Sequence, residues 1–228
     1  MVSEEQIDLI VFDLDGTLVE LDFTGEGMRT VRRDLRDIFD DAGINKQFKP
    51  LLTELDEAMM ELRRDADEES FMRTRRRAFQ AIADMERDAV SRQKGYNSAH
   101  SVLEQVQASD AGLAIATTNT RETATVSISE AGFPDPDHLI AIDDVRRPKP
   151  NPDMLSNLLE TCHTTPDKMA MIGARQSDAE SARLACEDTS TESVTVLIDR
   201  KGDDSQGIKN FDHVASSLPE VLDRLNLL

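Results

Sequence analysis

The feature that most constrains this chain is a short apolar segment that ends in two closely spaced acids. The segment Leu9–Phe12 contains only branched and aromatic residues, and Asp13 and Asp15 follow it directly. Such a run is typical of a strand that is buried on both faces of a parallel sheet. Because side chains alternate along an extended chain, the two acids share one side, and Gly16 permits a sharp turn after them. Open α/β sheets bind ligands at such strand ends.

Two neighbouring carboxylates at a strand end can bind a divalent cation, attack an electrophile or carry a proton. Their spacing also resembles a calcium-binding loop, but that loop requires a third oxygen ligand and then a glycine, where this chain has Thr17 and Leu18. We therefore reject a calcium site. An acidic turn without chemistry is the simplest alternative, because the whole chain is acidic, but the longer run that ends at Leu18 is more specific than two acids alone.

The run Asp-Leu-Asp-Gly-Thr-Leu at positions 13–18 resembles the opening motif of the haloacid dehalogenase superfamily. Most members of that family are magnesium-dependent phosphatases. The resemblance implies a doubly wound, Rossmann-like α/β fold with a parallel sheet. It also implies that Asp13 is a nucleophile that forms a phosphoaspartate, and that Asp15 is the general acid and base.

The second motif of the family has its counterpart after a predicted strand at 113–116. Thr118 and Asn119 follow that strand, and the resemblance assigns Thr118 to a substrate phosphate, together with Asn119, Gly16 and Thr17. A hydroxyl or a free backbone amide at a strand end can donate a hydrogen bond to a phosphate oxygen. The simplest alternative for Thr118 is a helix cap.

Lys149 lies in a proline-rich run after a third predicted strand at 139–142. Three alternating prolines at 148–152 preclude a helix before Asp153, so Lys149 is held on a stiff loop. The run resembles the third motif of the family, in which the ammonium group neutralises the nucleophile and the transferring phosphoryl group. A solvated turn is the alternative.

The fourth motif is incomplete in this chain. A strand at 169–172 leads into Gly173 and a helix that contains Asp178, but Ala174 stands where the family commonly has an acid that binds magnesium. The resemblance implies Mg²⁺ as a cofactor with Asp13, the backbone carbonyl of Asp15, and Asp178 as ligands, and Ala174 weakens that prediction. If the site is a compromised magnesium site, Ala174→Asp should tighten magnesium binding.

The interval between Asp13 and Thr118 is far longer than the roughly 30 residues of a strand–helix–strand crossover. Apolar residues recur at helical spacing from about residue 24 to residue 90. This pattern predicts a helical cap domain at 21–95, inserted into a core domain formed by 1–20 and 96–228, as in the subfamily that resembles phosphoglycolate phosphatases. A helix at 96–107, a fifth strand at 194–198 and a closing helix at 218–225 complete the predicted core.

An arginine cluster in the predicted cap could face a phosphate or carboxylate of the substrate. Its members are Arg73, Arg75, Arg76 and Arg77. Acids at 65–69 lie directly upstream, and mixed charge on a helix usually marks a solvated face. We favour the solvated face.

Composition limits the partners of the chain. Its 228 residues can form one sizeable core and a modest second unit, and 45 acidic against 26 basic residues give a formal net charge of −19. This charge repels nucleic acid and anionic membranes, and no segment has the length and apolarity of a membrane span. We expect a cytoplasmic protein whose partner is a small phosphorylated metabolite, with Cys162 and Cys186 as packing residues. The excess of acids also suggests a salt-rich cytoplasm, which is a hypothesis.

Three functions are compatible with these residues. The first is a magnesium-dependent phosphatase of a small phosphomonoester. The second is a pseudoenzyme or phosphate-binding module, which Ala174 favours. The third is a metal-independent dehalogenase, which also lacks that acid, but such enzymes do not retain the second acid of the opening motif, so Asp15 argues against it.

Overall fold

The computed structural model describes residues 6–200, 202 and 211–227, and it divides into two compact units. One unit contains the described residues up to Glu20 and from Lys94 onward, and the other is Leu21–Gln93. We call Leu21–Gln93 the helical insert. Among the described residues, no helix has both the length and the apolarity needed to cross a membrane.

The larger unit is built on a parallel sheet of six strands. They are β1 (Leu9–Phe12), β4 (Gly112–Ala116), β5 (His138–Ile140), β6 (Lys168–Gly173), β7 (Glu192–Ile198) and β8 (His213–Ala215), in the order β5-β4-β1-β6-β7-β8. A separate antiparallel pair joins β2 (Val19–Glu20) to β3 (Lys94–Gly95). The predicted doubly wound fold is therefore confirmed.

The first strand lies at the centre of the sheet because every residue in it is apolar. All four residues of β1 are buried, with exposed fractions of at most 3%. The strand pairs on one side with β4 and on the other with β6, so that Phe12 lies opposite Ile115 and Ile172. Since these strands are parallel, the polar residues that follow them meet at one edge of the sheet.

Among the described residues, five α-helices belong to the larger unit and three to the helical insert. Those of the larger unit are α4 (Ala99–Gln107), α5 (Arg121–Glu130), α6 (Asp153–Thr161), α7 (Gln176–Cys186) and α8 (Leu218–Arg224). Those of the insert are α1 (Gly25–Asp40), α2 (Leu51–Asp65) and α3 (Glu68–Val90). Two insert helices have side-chain caps: Thr24 accepts from the Gly27 amide at 3.0 Å, and Asp67 accepts from the Ser70 amide at 2.8 Å.

The sheet has six strands where the sequence predicts five. The additional strand, β8, has only three residues, and only Ala215 among them is buried, so it carries no apolar run. It pairs in parallel with β7, and its partner residues are Val196–Ile198.

The predicted strand at 139–142 is also wrong in part. β5 ends at Ile140, and Ile142–Asp144 forms a 3₁₀ helix instead. The reason is a set of competing hydrogen bonds: the Ile142 amide donates to the Asn119 carbonyl, and the Asp144 carboxylate accepts from the Ala141 amide. Sequence periodicity over four residues does not report such bonds.

Candidate active site

Asp13 is the first residue beyond β1, and its side chain is almost wholly buried. Its backbone amide donates to the Ile172 carbonyl at 2.9 Å, which continues the pairing with β6 by one residue. Its carboxylate is 1% exposed. The Thr17 hydroxyl donates to Asp13 Oδ2 at 3.4 Å. Thr17 thus lies beside the predicted nucleophile and helps to orient it.

The turn after Asp15 is fixed by its own backbone and by a distant arginine. Gly16 has φ of +90°, a conformation that favours glycine, and its amide donates to the Val19 carbonyl at 2.7 Å. Arg200 donates to the carbonyls of Gly16 and Thr17 at 2.8 and 2.6 Å, and its guanidinium lies 3.5 Å from the centroid of the Tyr96 ring. Arg200 therefore holds the motif turn.

Lys149 connects three segments of the chain through one buried ammonium group. Its Nζ donates to Asp13 Oδ1 at 2.8 Å, to Asp178 Oδ1 at 2.6 Å and to the Ala116 carbonyl at 2.9 Å. Burial by itself would lower the pKa of Lys149, but the charges of Asp13 and Asp178 outweigh it and raise the pKa above its usual value. The ammonium group stays charged and ties the ends of β1 and β4 to α7.

The loop that carries Lys149 is held by backbone hydrogen bonds in addition to its three prolines. Helix α6 begins at Asp153, directly after the last of the three prolines. The Asp153 carboxylate accepts from the Arg147 amide at 3.2 Å, and the Asn151 amide donates to the Pro148 carbonyl at 3.0 Å. The loop is thus closed on itself at both ends.

Asp178 lies in the first turn of α7 and faces the same centre. Its Oδ2 accepts from the Arg175 amide at 3.0 Å, while its Oδ1 pairs with Lys149. Burial raises the pKa of Asp178, and the nearby Lys149 partly opposes that shift. Gly173 makes this close approach possible, since a Cβ at that position would lie 2.2 Å from Asp178 Oδ2.

Of the three residues that follow β4, Thr117 and Asn119 bond to each other, whereas Thr118 presents a half-buried hydroxyl. The Thr117 hydroxyl donates to Asn119 Oδ1 at 2.9 Å and accepts from the Asn119 amide at 3.1 Å, so Asn119 shapes this turn. Thr118 lies between them and is half-buried. Its link to a phosphate stays a prediction.

Arg175 is a site residue that the sequence motifs do not assign. Its Nη2 donates to Asp15 Oδ2 at 2.9 Å, and its Nη1 lies 3.9 Å from Asp13 Oδ2. Burial would lower the pKa of Arg175, but the charges of Asp13 and Asp15 raise it. A basic residue directly after the missing acid at Ala174 is the sequence signal that could have revealed it.

The side chains present do not fit the magnesium shell that the family resemblance implies. Asp178 has both oxygens engaged, one by Lys149 and one by the Arg175 amide, and Asp13 gives Oδ1 to Lys149. Across residues 6–200, 202 and 211–227, no group of three or more acidic, histidine or cysteine side chains is placed to hold a metal ion. The two predicted side-chain ligands, Asp13 and Asp178, instead pair with Lys149, and Arg175 lies 3.9 Å from Asp13.

The arginine cluster of the helical insert has local partners. Arg77 pairs with Asp41 at 3.1 Å, Arg73 donates to the Ser70 hydroxyl at 3.4 Å, and the Arg75 guanidinium lies 4.8 Å from the centroid of the Phe79 ring. These contacts agree with the solvated face that we favour.

Comparison with known structures gives the same fold. The structure of CbbY from Rhodobacter sphaeroides in complex with phosphate has a TM-score of 0.63 at 19% identity, over 97% of this chain and 100% of that one. A proposed phosphoglycolate phosphatase from Lactobacillus plantarum has a TM-score of 0.58 at 20% identity, over 98% and 100%. YfnB from Bacillus subtilis, which is bound to magnesium, has a TM-score of 0.57 at 15% identity, over 97% and 99%.

A family model described as haloacid dehalogenase-like hydrolase matches residues 10–189, which is most of the chain. No curated protein matches the chain significantly. The matched region contains Asp13, Lys149 and Asp178, which meet at one edge of the sheet. The chain belongs to the haloacid dehalogenase-like hydrolases.

Proposed function

We propose that this hydrolase cleaves a small phosphomonoester, with Asp13 as the nucleophile and Asp15 as the general acid and base. One observation carries the proposal: the buried Asp13 carboxylate pairs with the buried Lys149 ammonium at 2.8 Å, at the end of the central strand. A buried carboxylate is retained as an ion only when it is paired, and a paired carboxylate at a strand end is available to attack a ligand bound there.

The reaction would take place in two steps. In the first step an Asp13 oxygen attacks phosphorus, the bond from phosphorus to the ester oxygen breaks, and Asp15 gives its proton to the leaving oxygen. In the second step Asp15 takes a proton from water, the water oxygen attacks phosphorus, and the bond from phosphorus to Asp13 breaks. The products are an alcohol and inorganic phosphate.

Lys149 has a clear role in this scheme. Its ammonium group would neutralise the Asp13 carboxylate as it approaches the negatively charged phosphoryl group. Thr118 would donate to a phosphate oxygen, since it follows β4 beside the end of β1. The amides of Gly16 and Thr17, which the resemblance also assigns to phosphate, already donate to the carbonyls of Val19 and Leu14. A phosphoglycolate-like compound is the substrate class that the family resemblance favours, with magnesium as its usual cofactor.

A phosphate-binding module without turnover is the second candidate function. Ala174 favours it, because this position lacks the acid that completes the fourth motif. A dehalogenase is less favoured, because Asp15 is present and is engaged by Arg175.

Turnover of small phosphomonoesters separates these candidates. Wild type should hydrolyse p-nitrophenyl phosphate or 2-phosphoglycolate, and each ester is assayed both in EDTA and in magnesium. Asp13→Asn should abolish turnover while retaining the circular dichroism spectrum, because an amide cannot form the intermediate. Asp15→Asn should slow turnover by about 10²- to 10⁴-fold.

The matched control is Asp8→Asn. Asp8 lies at the opposite end of β1, where its carboxylate accepts from the amides of Asp167 and Lys168 at 2.8 and 3.0 Å. This variant should turn over like wild type. A wild-type rate for Asp13→Asn would refute the assignment of Asp13 as the nucleophile. Inactivity of the wild type towards every ester would favour a phosphate-binding module.

A further inference from the structure

The Arg175 guanidinium lies at the two acids on which the proposed reaction depends. It donates to Asp15 Oδ2 at 2.9 Å and lies 3.9 Å from Asp13 Oδ2, while Lys149 binds the other oxygen of Asp13, Oδ1. We propose that Arg175 is a phosphate-binding cation that, with Lys149, takes the part of the divalent metal at this site. Its effect on turnover rests on the proposed phosphatase function, whereas phosphate binding by Arg175 does not.

The formal charges of the site support this role. Three carboxylates (Asp13, Asp15 and Asp178) and two cations (Lys149 and Arg175) give a net charge of −1. A site with an acid at position 174, a neutral residue at 175 and a bound dication would have the same net charge. An alanine instead of an acid at 174 and a guanidinium at 175 thus change the formal charge of the site by the same amount as a bound dication.

Local packing places the two changes together. A Cβ at Gly16 would lie 3.7 Å from the Ala174 Cβ and 3.8 Å from Arg175 Nη2. Both residues therefore border the turn that follows the nucleophile. An acid at 174 would start from the same Cβ and would meet the guanidinium, so Ala174→Asp alone should pair with Arg175 rather than create a metal site.

Arginine also suits the chemistry of the ligand. Its planar group can donate two parallel N–H bonds to phosphate oxygens, and it stays charged under all assay conditions. The side chain is 50% exposed, so a solvent-borne anion can reach it. When phosphate binds, the guanidinium would exchange its bond to Asp15 for bonds to phosphate, which leaves Asp15 able to carry a proton.

Calorimetric titration with inorganic phosphate in EDTA and in millimolar magnesium tests this inference. Wild type should bind phosphate in EDTA, and magnesium should change its dissociation constant by less than about threefold, which is under 1 kcal/mol. Arg175→Gln should weaken phosphate binding in EDTA by about 10- to 100-fold, the value expected for hydrogen bonds to a charged group. Arg175→Lys, which keeps the charge, should bind phosphate less tightly than wild type but more tightly than Arg175→Gln.

Two further variants make the test specific. Arg183→Gln removes one positive charge from α7, the helix that begins directly after Arg175, and should bind phosphate like wild type. The Arg183 side chain pairs with Asp212 at 2.9 Å. The double variant A174D/R175Q should acquire calorimetric magnesium binding and should bind phosphate at least about tenfold more tightly with magnesium than without it.

The outcomes separate this inference from the proposed function. Wild type that binds phosphate only with magnesium, or not at all, would overturn the role of Arg175, as would equal affinities of Arg175→Gln and Arg183→Gln. Phosphate binding through Arg175 in EDTA without hydrolysis of any ester would support the inference and refute the phosphatase. Ester hydrolysis that strictly requires magnesium would support the phosphatase and refute the inference.

Discussion

At the scale of single residues, the site depends on one ammonium group with three buried acceptors. Lys149 and both carboxylates that it binds are 1% exposed. Moving an ion pair from water to an interior costs several kcal/mol per ion, and only close geometry with additional hydrogen bonds offsets that cost. Here the third bond, to the Ala116 carbonyl, completes the coordination of the ammonium.

Removal of that ammonium group should therefore destabilise the fold as well as stop turnover. Lys149→Met leaves Asp13 and Asp178 buried without their shared cation, and we expect the free energy of unfolding to fall by about 3–5 kcal/mol. Urea unfolding followed by circular dichroism measures this change. The double variant K149M/D178N should recover part of the stability but no activity. A loss below about 1 kcal/mol for the single variant would show that the ion pair contributes little.

The sequence reveals some of these residues and not others, for a physical reason. Asp13 follows a buried strand, Lys149 lies in a proline-rich loop, and Asp178 lies in the helix that follows a buried strand, so their place at one sheet edge can be predicted. Arg175 has only its place after Ala174 as a sequence signal, and its contact with Asp15 spans 160 positions of sequence. The contact of Arg200 with Gly16 spans 184 positions. The spacing of residues along the chain does not report which distant carboxylate or carbonyl a long side chain reaches.

At the scale of elements, a long apolar pattern predicts a strand or helix and a short one does not. The four strands β1, β4, β6 and β7 have buried runs of four or more residues, and each is confirmed. No such run is found in β2 and β3, which have two residues each and pair with one another, or in the edge strand β8. Their formation depends on a neighbouring strand, which only the tertiary structure supplies.

The connection from β6 to α7 depends on the absence of a side chain at Gly173. In Gly173→Ala the new Cβ would lie 2.2 Å from Asp178 Oδ2, so Asp178 must move away from Lys149. We expect a loss of about 1–3 kcal/mol in unfolding free energy and a marked loss of turnover. Gly95→Ala is the matched control, since its Cβ would meet only Phe133 at 3.8 Å. Equal stability of the two variants would contradict this account.

The start of α8 gives a pH-dependent prediction. The Ser216 amide and hydroxyl donate to Glu220 and, together with Arg224, lower the pKa of that carboxyl to about 2. A carboxyl whose pKa is lower in the folded chain stabilises it above its unfolded pKa, and the effect is lost as the pH falls towards the folded pKa. The difference in unfolding free energy between wild type and Glu220→Gln should therefore narrow from pH 6 to pH 3. A difference that is constant over this range would exclude the ionised carboxylate as its source.

At the scale of the whole molecule, like charge opposes the compact state. Acidic residues outnumber basic ones by 19. The ion pairs described on the surface join partly exposed side chains, as in Arg64–Asp65, where the two side chains are 71% and 61% exposed. Such exposed pairs contribute at most about 1 kcal/mol each, and usually less. We therefore expect them to offset little of the repulsion among the remaining acids.

Concentrated salt should relieve this repulsion. The Debye length falls from about 10 Å at 0.1 M to about 3 Å at 1 M, so that charges farther apart than this are largely screened. We expect Tm to rise between dilute buffer and molar KCl, measured by differential scanning calorimetry at constant pH. A variant that neutralises four exposed acids, D110N/E130Q/E187Q/D188N, should have a higher Tm in dilute buffer and a smaller rise with KCl. A wild-type Tm that does not rise with KCl would refute adaptation to a salt-rich cytoplasm, because the acidic surface would then impose no cost that salt removes.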